Sequence, residues 1–329
     1  MTAPPSYGDT SPIAAIATPL GESALAVIRT SGPRAVDLLA AVFSRPEALR
    51  GAPGGTTVHG WILEAGAGTT GKAARIDEAV LSVYRAPRSY TGEESVDISC
   101  HGGTAPAPAV MRVLRAAGFR DSLPGEFTFR AFMNGKLDLT RAESVMELVS
   151  AKTETSREHA VRRLSGVLEA EIQTVKGLLV RALTGIELLL DYPEDEADPA
   201  GAPADLPLIE EALARLRALA ASYRRERLYR DGALTVIAGR PNAGKSSLFN
   251  LLLREERSIV TSVPGTTRDW IEAWIAVDGV PIRLADTAGL HDTDDPVERL
   301  GMERSRKLLA GADLALYLID GGAGFTEED

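Results

Sequence analysis

Gly239-Arg-Pro-Asn-Ala-Gly244-Lys245-Ser246 has the spacing G-x-x-x-x-G-K-[ST]. It follows the apolar run Leu234-Thr-Val-Ile-Ala and precedes a segment of helical character from Ser246 to Leu253. Glycines let backbone N–H groups wrap phosphate oxygens, and the N-terminus of a following helix adds positive potential. Asn242, Ala243, Gly244, Lys245, Ser246 and Ser247 are therefore candidate nucleotide-binding residues. Lys245 is placed to reach the β- and γ-phosphates, and the Ser246 hydroxyl to ligate Mg²⁺. Two later segments agree. Gly265-Thr266-Thr267 supplies a threonine able to cap Mg²⁺ when a γ-phosphate is present. Asp286-Thr287-Ala288-Gly289, directly after an apolar strand, supplies a carboxylate for water-mediated Mg²⁺ contact and a glycine able to hydrogen-bond the γ-phosphate. A phosphate loop followed by Asp-x-x-Gly at a strand end implies a switch protein of the GTPase type.

Hydrolysis needs an oriented water and extra positive charge in the transition state. The residue after Gly289 is Leu290, which cannot orient water as a glutamine does in small GTPases. His291, Asp292, Asp294, Asp295 and Glu298 are the nearby alternatives. Arg240 lies inside the loop and Arg268 follows the threonines, so neither is obviously placed as an arginine finger. Asn242, a neutral oxygen ligand beside the phosphates, points to a monovalent cation as the missing charge.

The elements that must position these groups fall into three stretches of a 329-residue chain, a length that allows about two domains at roughly 150 residues each. Residues 1–136 alternate short apolar runs (13–17, 24–28, 79–84, 96–99) with Gly/Pro turns and one helix around 109–117, an α+β pattern. Residues 137–233 change period. Val161, Leu164, Leu168, Ile172, Val175, Leu179, Ala182, Ile186 and Leu189 recur every three or four positions, which predicts one long helix with an apolar stripe. The prolines and acids from Asp191 to Pro199 end it, and a second amphipathic stretch, 206–229, returns. Residues 234–329 read strand, helix (246–253), strand (272–277), Asp278-Gly279 turn, strand (281–285), helix (297–309) and strand (314–319), an α/β order with one antiparallel hairpin.

A net charge of −10 argues against a general electrostatic nucleic-acid binder, so any such contact must be local. The densest basic clusters are Arg162-Arg163 and Arg224, Arg225, Arg227 and Arg230. Cys100 has no partner for a disulfide, and no basic leader or apolar run of about 20 residues occurs. The expectation is a soluble, cytoplasmic protein with no membrane association.

The sequences at 239–247, 264–269 (Pro-Gly-Thr-Thr-Arg-Asp), 286–290 and 297–301 (Val-Glu-Arg-Leu-Gly) resemble those of the MnmE (TrmE) family of tRNA-modification GTPases. Thr91-Gly-Glu-Glu, Cys100-His-Gly-Gly and the run from Pro124 to Leu139 match the same family, so the resemblance covers all three stretches. It implies a multidomain α/β protein. Residues 1–136 would be an α+β tetrahydrofolate-binding and dimerisation domain, 137–233 part of an all-α helical bundle, and 234–329 an inserted, Ras-like P-loop GTPase domain. The implied activity is K⁺-activated GTP hydrolysis with dimerising nucleotide domains. It serves C5 modification of the wobble uridine (U34) of tRNA, adding an aminomethyl or carboxymethylaminomethyl group together with the flavoprotein MnmG (GidA) in a heterotetramer.

Carried over residue by residue, the resemblance makes Asn242, Thr261, Val263 and Thr266 ligands of K⁺, and Ser246 and Thr267 ligands of Mg²⁺. Ser262, Pro264 and Gly265 join the nucleotide-binding set, and Glu298 becomes the acid that orients the attacking water, with Lys245 as the second catalytic group. For 5-formyltetrahydrofolate, Arg29 would face the glutamate, with Asp97 and Lys136 completing the site. Family members usually carry Glu where this chain has Asp97. His101 beside Cys100 makes a poor metal site, so a buried, structural Cys100 is expected. The chain stops at Asp329, past the fourth strand of the nucleotide domain. The guanine-reading Asn-Lys-x-Asp motif, the returning helices and the terminal cysteine motif that the resemblance implies are not among these 329 residues. Two other readings stay open: a folate-binding dimerisation module without GTPase activity, and a ribosome-assembly GTPase.

Overall fold

The computed structural model describes residues 6–64, 74–191, 205–240, 243–255, 272–286, 308–322 and 324–325. The chain divides into two compact units, Met1–Ala142 and Glu143–Asp329.

The first unit is built on β1 (Ile13–Ile16), β2 (Leu25–Ser31), β3 (Thr56–Leu63), β4 (Arg75–Tyr84), β5 (Ser95–His101) and the short β6 (Arg120–Asp121). They form one sheet in the order β3-β4-β5-β2-β1-β6, antiparallel except for the β1–β6 pair. Side chains alternate between faces. Val96, Ile98 and Cys100 of β5 enter a core with Leu81 and Val83 of β4, covered by α1 (Ala35–Ala40) and α3 (Pro106–Ala117). Asp97 and Ser99 consequently face the other side. Helix α3 starts with proline in its first turn and stops where Gly118 takes φ 109°, which lets its N–H reach Arg115 O. Sequence periodicity predicts a single helix within residues 1–136, but α1, α2 (Pro46–Gly51) and α4 (Glu126–Met133) are present beside α3, and α5 (Leu139–Ser150) follows. The strand β3 was equally hidden, because Thr-Thr-Val-His-Gly-Trp interrupts its apolar run. The six-residue α1 and α2 are too short to show a period.

In the second unit the stripe expected on one long helix is divided between α6 (Glu154–Leu164) and α7 (Val167–Asp191). Gly166, at φ 87°, breaks it. Leu164 and Leu168 are four apart across the break, so the apolar period continues in phase and conceals it. Helix α7 meets α8 (Asp205–Asp231) through Val175, Leu178, Ala212 and Leu208. Leu178 rather than the predicted Leu179 lies in the seam: they are 3% and 43% exposed.

Four strands follow, β7 (Ala233–Gly239), β8 (Glu272–Val277), β9 (Val280–Asp286) and β10 (Leu314–Leu318), in the order β10-β7-β9-β8. Central β7 runs parallel to both neighbours, and β8 joins antiparallel through Asp278 and Gly279, whose φ values of 49° and 80° suit a primed hairpin turn. Both faces of β7 are covered. Ile237 packs with Phe249 of α9 (Lys245–Glu255), and Leu234 and Val236 pack with Leu308, Leu309 and Ala312. A parallel strand buried on two faces reads as the continuous apolar run seen in the sequence. Of the helix expected over 297–309, positions 297–307 lie outside the described residues and 308–311 are helical. Among the described residues no helix is long and apolar enough to cross a membrane.

Candidate functional sites

The phosphate loop sits between a buried strand and a helix, as its chemistry requires. Gly239 ends β7 at φ 141°, and a Cβ there would collide with Leu318 O of neighbouring β10. Gly244, at φ 94°, has open space where a side chain would be, and α9 begins at the next residue. The Lys245 ammonium donates to Gly239 O and Arg240 O, both at 2.8 Å. It thus spans the loop's own carbonyls, where phosphate oxygens would compete for it. Ser246 and Ser247 occupy the first turn of α9, whose unpaired N–H groups and dipole favour an anion. Asp286 closes β9 one strand away from β7, with Ile237 directly opposite in the register. Asn242, the segment Thr261, Ser262, Val263, Pro264, Gly265, Thr266 and Thr267, then Thr287, Ala288, Gly289 and Glu298 lie outside the described residues, as does the side chain of Asp286.

A second candidate site lies on the first unit's sheet. The antiparallel register of β2 and β5 sets Arg29 opposite Asp97. Arg29 Nε donates to Asp97 Oδ1 at 2.9 Å and Nη2 to Oδ2 at 3.0 Å, a bidentate fork. That bond, despite partial burial, pushes the guanidinium further above its ordinary range. Both Asp97 oxygens are engaged within the chain, so the shorter acid reaches its arginine without a bridging water. The Tyr90 ring lies 5.6 Å from the Arg29 guanidinium carbon, and its hydroxyl is 2.9 Å from Thr128 Oγ1. Lys136 Nζ donates to Pro87 O at 3.1 Å, which ties it to the same β4–β5 loop that carries Tyr90. A cavity of about 490 Å³ opens beside this loop, lined by Gly54, Tyr84, Arg85, Pro87 and Arg88. Arg29 and Asp97 are thus in contact, and Lys136 is anchored to the adjoining loop. Sequence reading missed Tyr90, although it directly precedes the Thr91-Gly-Glu-Glu segment.

Cys100 is buried, and burial, with Asp77 nearby, pushes its thiol up to about 11. His101 Nδ1 lies 2.6 Å from Asp77 Oδ1 and its backbone N–H donates to Asp77 Oδ2, an arrangement that orients the ring. The basic clusters are partly neutralised. Arg163 pairs with Glu147 and Glu226, and Arg230 with Asp231 and Glu147, while the side chains of Arg224 and Arg225 lie outside the described residues.

Residues 12–136 match the family described as GTP-binding protein TrmE N-terminus, and residues 234–329 match the family described as 50S ribosome-binding GTPase. The tRNA modification GTPase MnmE of Treponema denticola is 47% identical over 315 residues, which are 96% of this chain and 65% of that protein. The protein of the same name from Carboxydothermus hydrogenoformans is 44% identical over 319 residues, 96% of this chain and 68% of that protein. That from Thermus thermophilus is 46% identical over 309 residues, 94% and 69% respectively. The chain thus spans slightly less than two thirds of the length of the Treponema relatives, 65% and 62%. With its TrmE-type N-terminal domain, its P-loop nucleotide domain and this identity along nearly its whole length, the chain belongs to the family of the tRNA modification GTPase MnmE.

Proposed function

We propose that this chain binds and hydrolyses GTP in the service of tRNA wobble-uridine modification. The observation that carries the reading is the strand–loop–helix junction at 239–247, with Lys245 held over the loop, in a chain of this family. Lys245 and the N–H groups at the start of α9 would hold the phosphates. Ser246 and Thr267 would hold Mg²⁺, with Asp286 contacting it through water. When bound, Mg²⁺ neutralises charge on the β- and γ-phosphate oxygens. Glu298 would orient the attacking water, since Leu290 has no group to do so. Asn242, Thr261, Val263 and Thr266 would hold K⁺, which supplies positive charge in place of an arginine finger.

In the same reading 137–233 is part of a helical domain between the folate-type domain and the nucleotide domain. The N-terminal domain pairs with a second copy and takes 5-formyltetrahydrofolate at Arg29, Asp97 and Lys136. Arg29, held by the fork to Asp97 and flanked by the Tyr90 ring, would face the glutamate of the folate. The partners would be tRNA and the flavoprotein MnmG, in the cytoplasm. A ribosome-assembly role is disfavoured because the match at 12–136 is to the TrmE N-terminus.

Phosphate release from GTP, measured in KCl and in NaCl, tests the reading. Lys245→Ala should abolish nucleotide binding. Glu298→Ala should retain binding and lose about 10²–10⁴-fold in rate, as expected for a general acid–base or water-orienting group. Equal rates in both salts would remove the K⁺ part, and undiminished hydrolysis by Lys245→Ala would remove the site.

A further inference from the structure

In the chain, β8 follows the Thr261–Thr267 segment and β9 runs into Asp286-Thr287-Ala288-Gly289, so one hairpin joins the two nucleotide-responsive segments. The turn of that hairpin is held by the helices. Thr153, the N-cap of α6, accepts the Ser156 N–H at 3.1 Å and donates its hydroxyl to Gly279 O at 2.8 Å. Ser156 Oγ, 2.8 Å from Thr153 Oγ1, donates to Tyr229 O in the last turns of α8 at 2.6 Å. The approach is close. A Cβ on Gly279 would lie 2.5 Å from Thr155 Oγ1, and one on Gly232, where α8 passes into β7, would lie 2.5 Å from Trp274 Cζ3. Lys152 Nζ sits 5.9 Å from the Trp274 ring on β8. Two hydroxyls one helical turn apart thus join the start of α6, the end of α8 and the hairpin turn, and α8 leads directly into the strand carrying the phosphate loop.

We propose that the Thr153–Ser156 hydroxyl pair, gripping Gly279, is the contact through which the helices α6 and α8 follow the position of the β8–β9 hairpin, so that nucleotide state is transmitted to them. This rests on the reading of 239–289 as a GTP-dependent switch. The physical basis is that a hairpin is stiff along its strands, so a shift at its open end, where both switch segments attach, moves its turn. The hydroxyl-to-carbonyl bond is directional and lost within a fraction of an ångström. Thr153 is a positioning residue in this scheme and touches no nucleotide.

Amide hydrogen exchange of the full chain, recorded without nucleotide, with GDP and with the non-hydrolysable analogue GMPPNP (Mg²⁺ and K⁺ present), tests it. In the parent, the amides of 154–164 and 226–231 should differ between GDP and GMPPNP by about two- to tenfold, the range one neutral hydrogen bond confers. Thr153→Val should erase that difference while GMPPNP affinity stays within about twofold, and Thr153→Ser should restore it. Gly279→Ala, which drives a methyl against Thr155, should erase it by a separate route and serves if Thr153→Val folds poorly. Nucleotide binding with a Thr153→Val difference equal to the parent's overturns the proposal alone. A parent chain that binds no guanine nucleotide overturns the GTPase reading, and the proposal with it.

Discussion

Glu126 is fully buried, yet it is ionised between two arginines. It accepts from Arg120 Nη1 and Nη2 at 2.8 and 2.6 Å, from Arg130 Nη2 at 2.9 Å and from the Leu123 N–H at 2.8 Å. Burial alone would raise its pKa, but the hydrogen bonds from Arg120, Leu123 and Arg130 outweigh it and hold the carboxyl below its usual range. Glu126→Gln takes the shared charge from between the two guanidinium groups, leaving Arg120 with Asp9 and Arg130 with Glu93, and should cost about 2–3 kcal/mol, read as a lower urea midpoint. Because the folded pKa is depressed, Glu126's contribution is complete above the unfolded value near 4.5 and is lost as pH falls through the folded one; Glu126→Gln should flatten that acid limb. His101 behaves oppositely. The hydrogen bond to Asp77 raises its pKa, so its contribution is present below about 6.5 and is lost as pH rises through the folded value. Ring-proton NMR should place its midpoint above 6.5, and Asp77→Asn should bring it back; a midpoint unmoved by that change would refute the pairing. The sequence displayed Glu126 inside a recognisable segment but gave no sign of its role. Its partners Arg120, on β6, and Arg130, one helical turn away, are close in sequence, but only packing shows that Glu126 and Arg130 are buried while Arg120 is half-buried.

At the scale of elements, glycines of opposite sign divide the helical segment. Gly166 adopts φ 87° at the α6–α7 break, whereas Gly177 lies within α7 with nothing within 4 Å of a would-be Cβ. Gly166→Ala should therefore destabilise the second unit by roughly 1–2 kcal/mol, and Gly177→Ala should stabilise it by up to about 1 kcal/mol. Chemical denaturation of both variants checks the sign; two shifts in the same direction would mean the break is not where φ places it. Periodicity foresaw the amphipathic character of α7 and α8 because the seam repeats locally. It missed the break because the apolar spacing runs through it unchanged. The strands and helix described between 234 and 286 were legible for a related reason: β7 is apolar apart from Thr235, and Asp278-Gly279 marks a turn type that suits the β8–β9 hairpin.

At the scale of the molecule, each compact unit has its own sheet and its own buried cluster. Ligands that bind one unit should stabilise that unit first. At 100 times its dissociation constant a ligand contributes about 2.7 kcal/mol to the unit that binds it. Calorimetry should accordingly show GMPPNP raising one transition and 5-formyltetrahydrofolate raising the other. Equal elevation of a single transition by either ligand would show one cooperative block. The sequence by itself determined the strand–loop–helix order of the phosphate loop, the charge balance and the family. These depend on residues a few positions apart, whose geometry the local backbone fixes. Only the tertiary structure decided that Arg29 meets Asp97, 68 residues away, that Glu126 is enclosed by two arginines, and that Thr153 holds Gly279, 126 residues away. Such contacts are set by strand register and helix packing; a slip of one residue between β2 and β5 would turn Arg29 and Asp97 to opposite faces of the sheet.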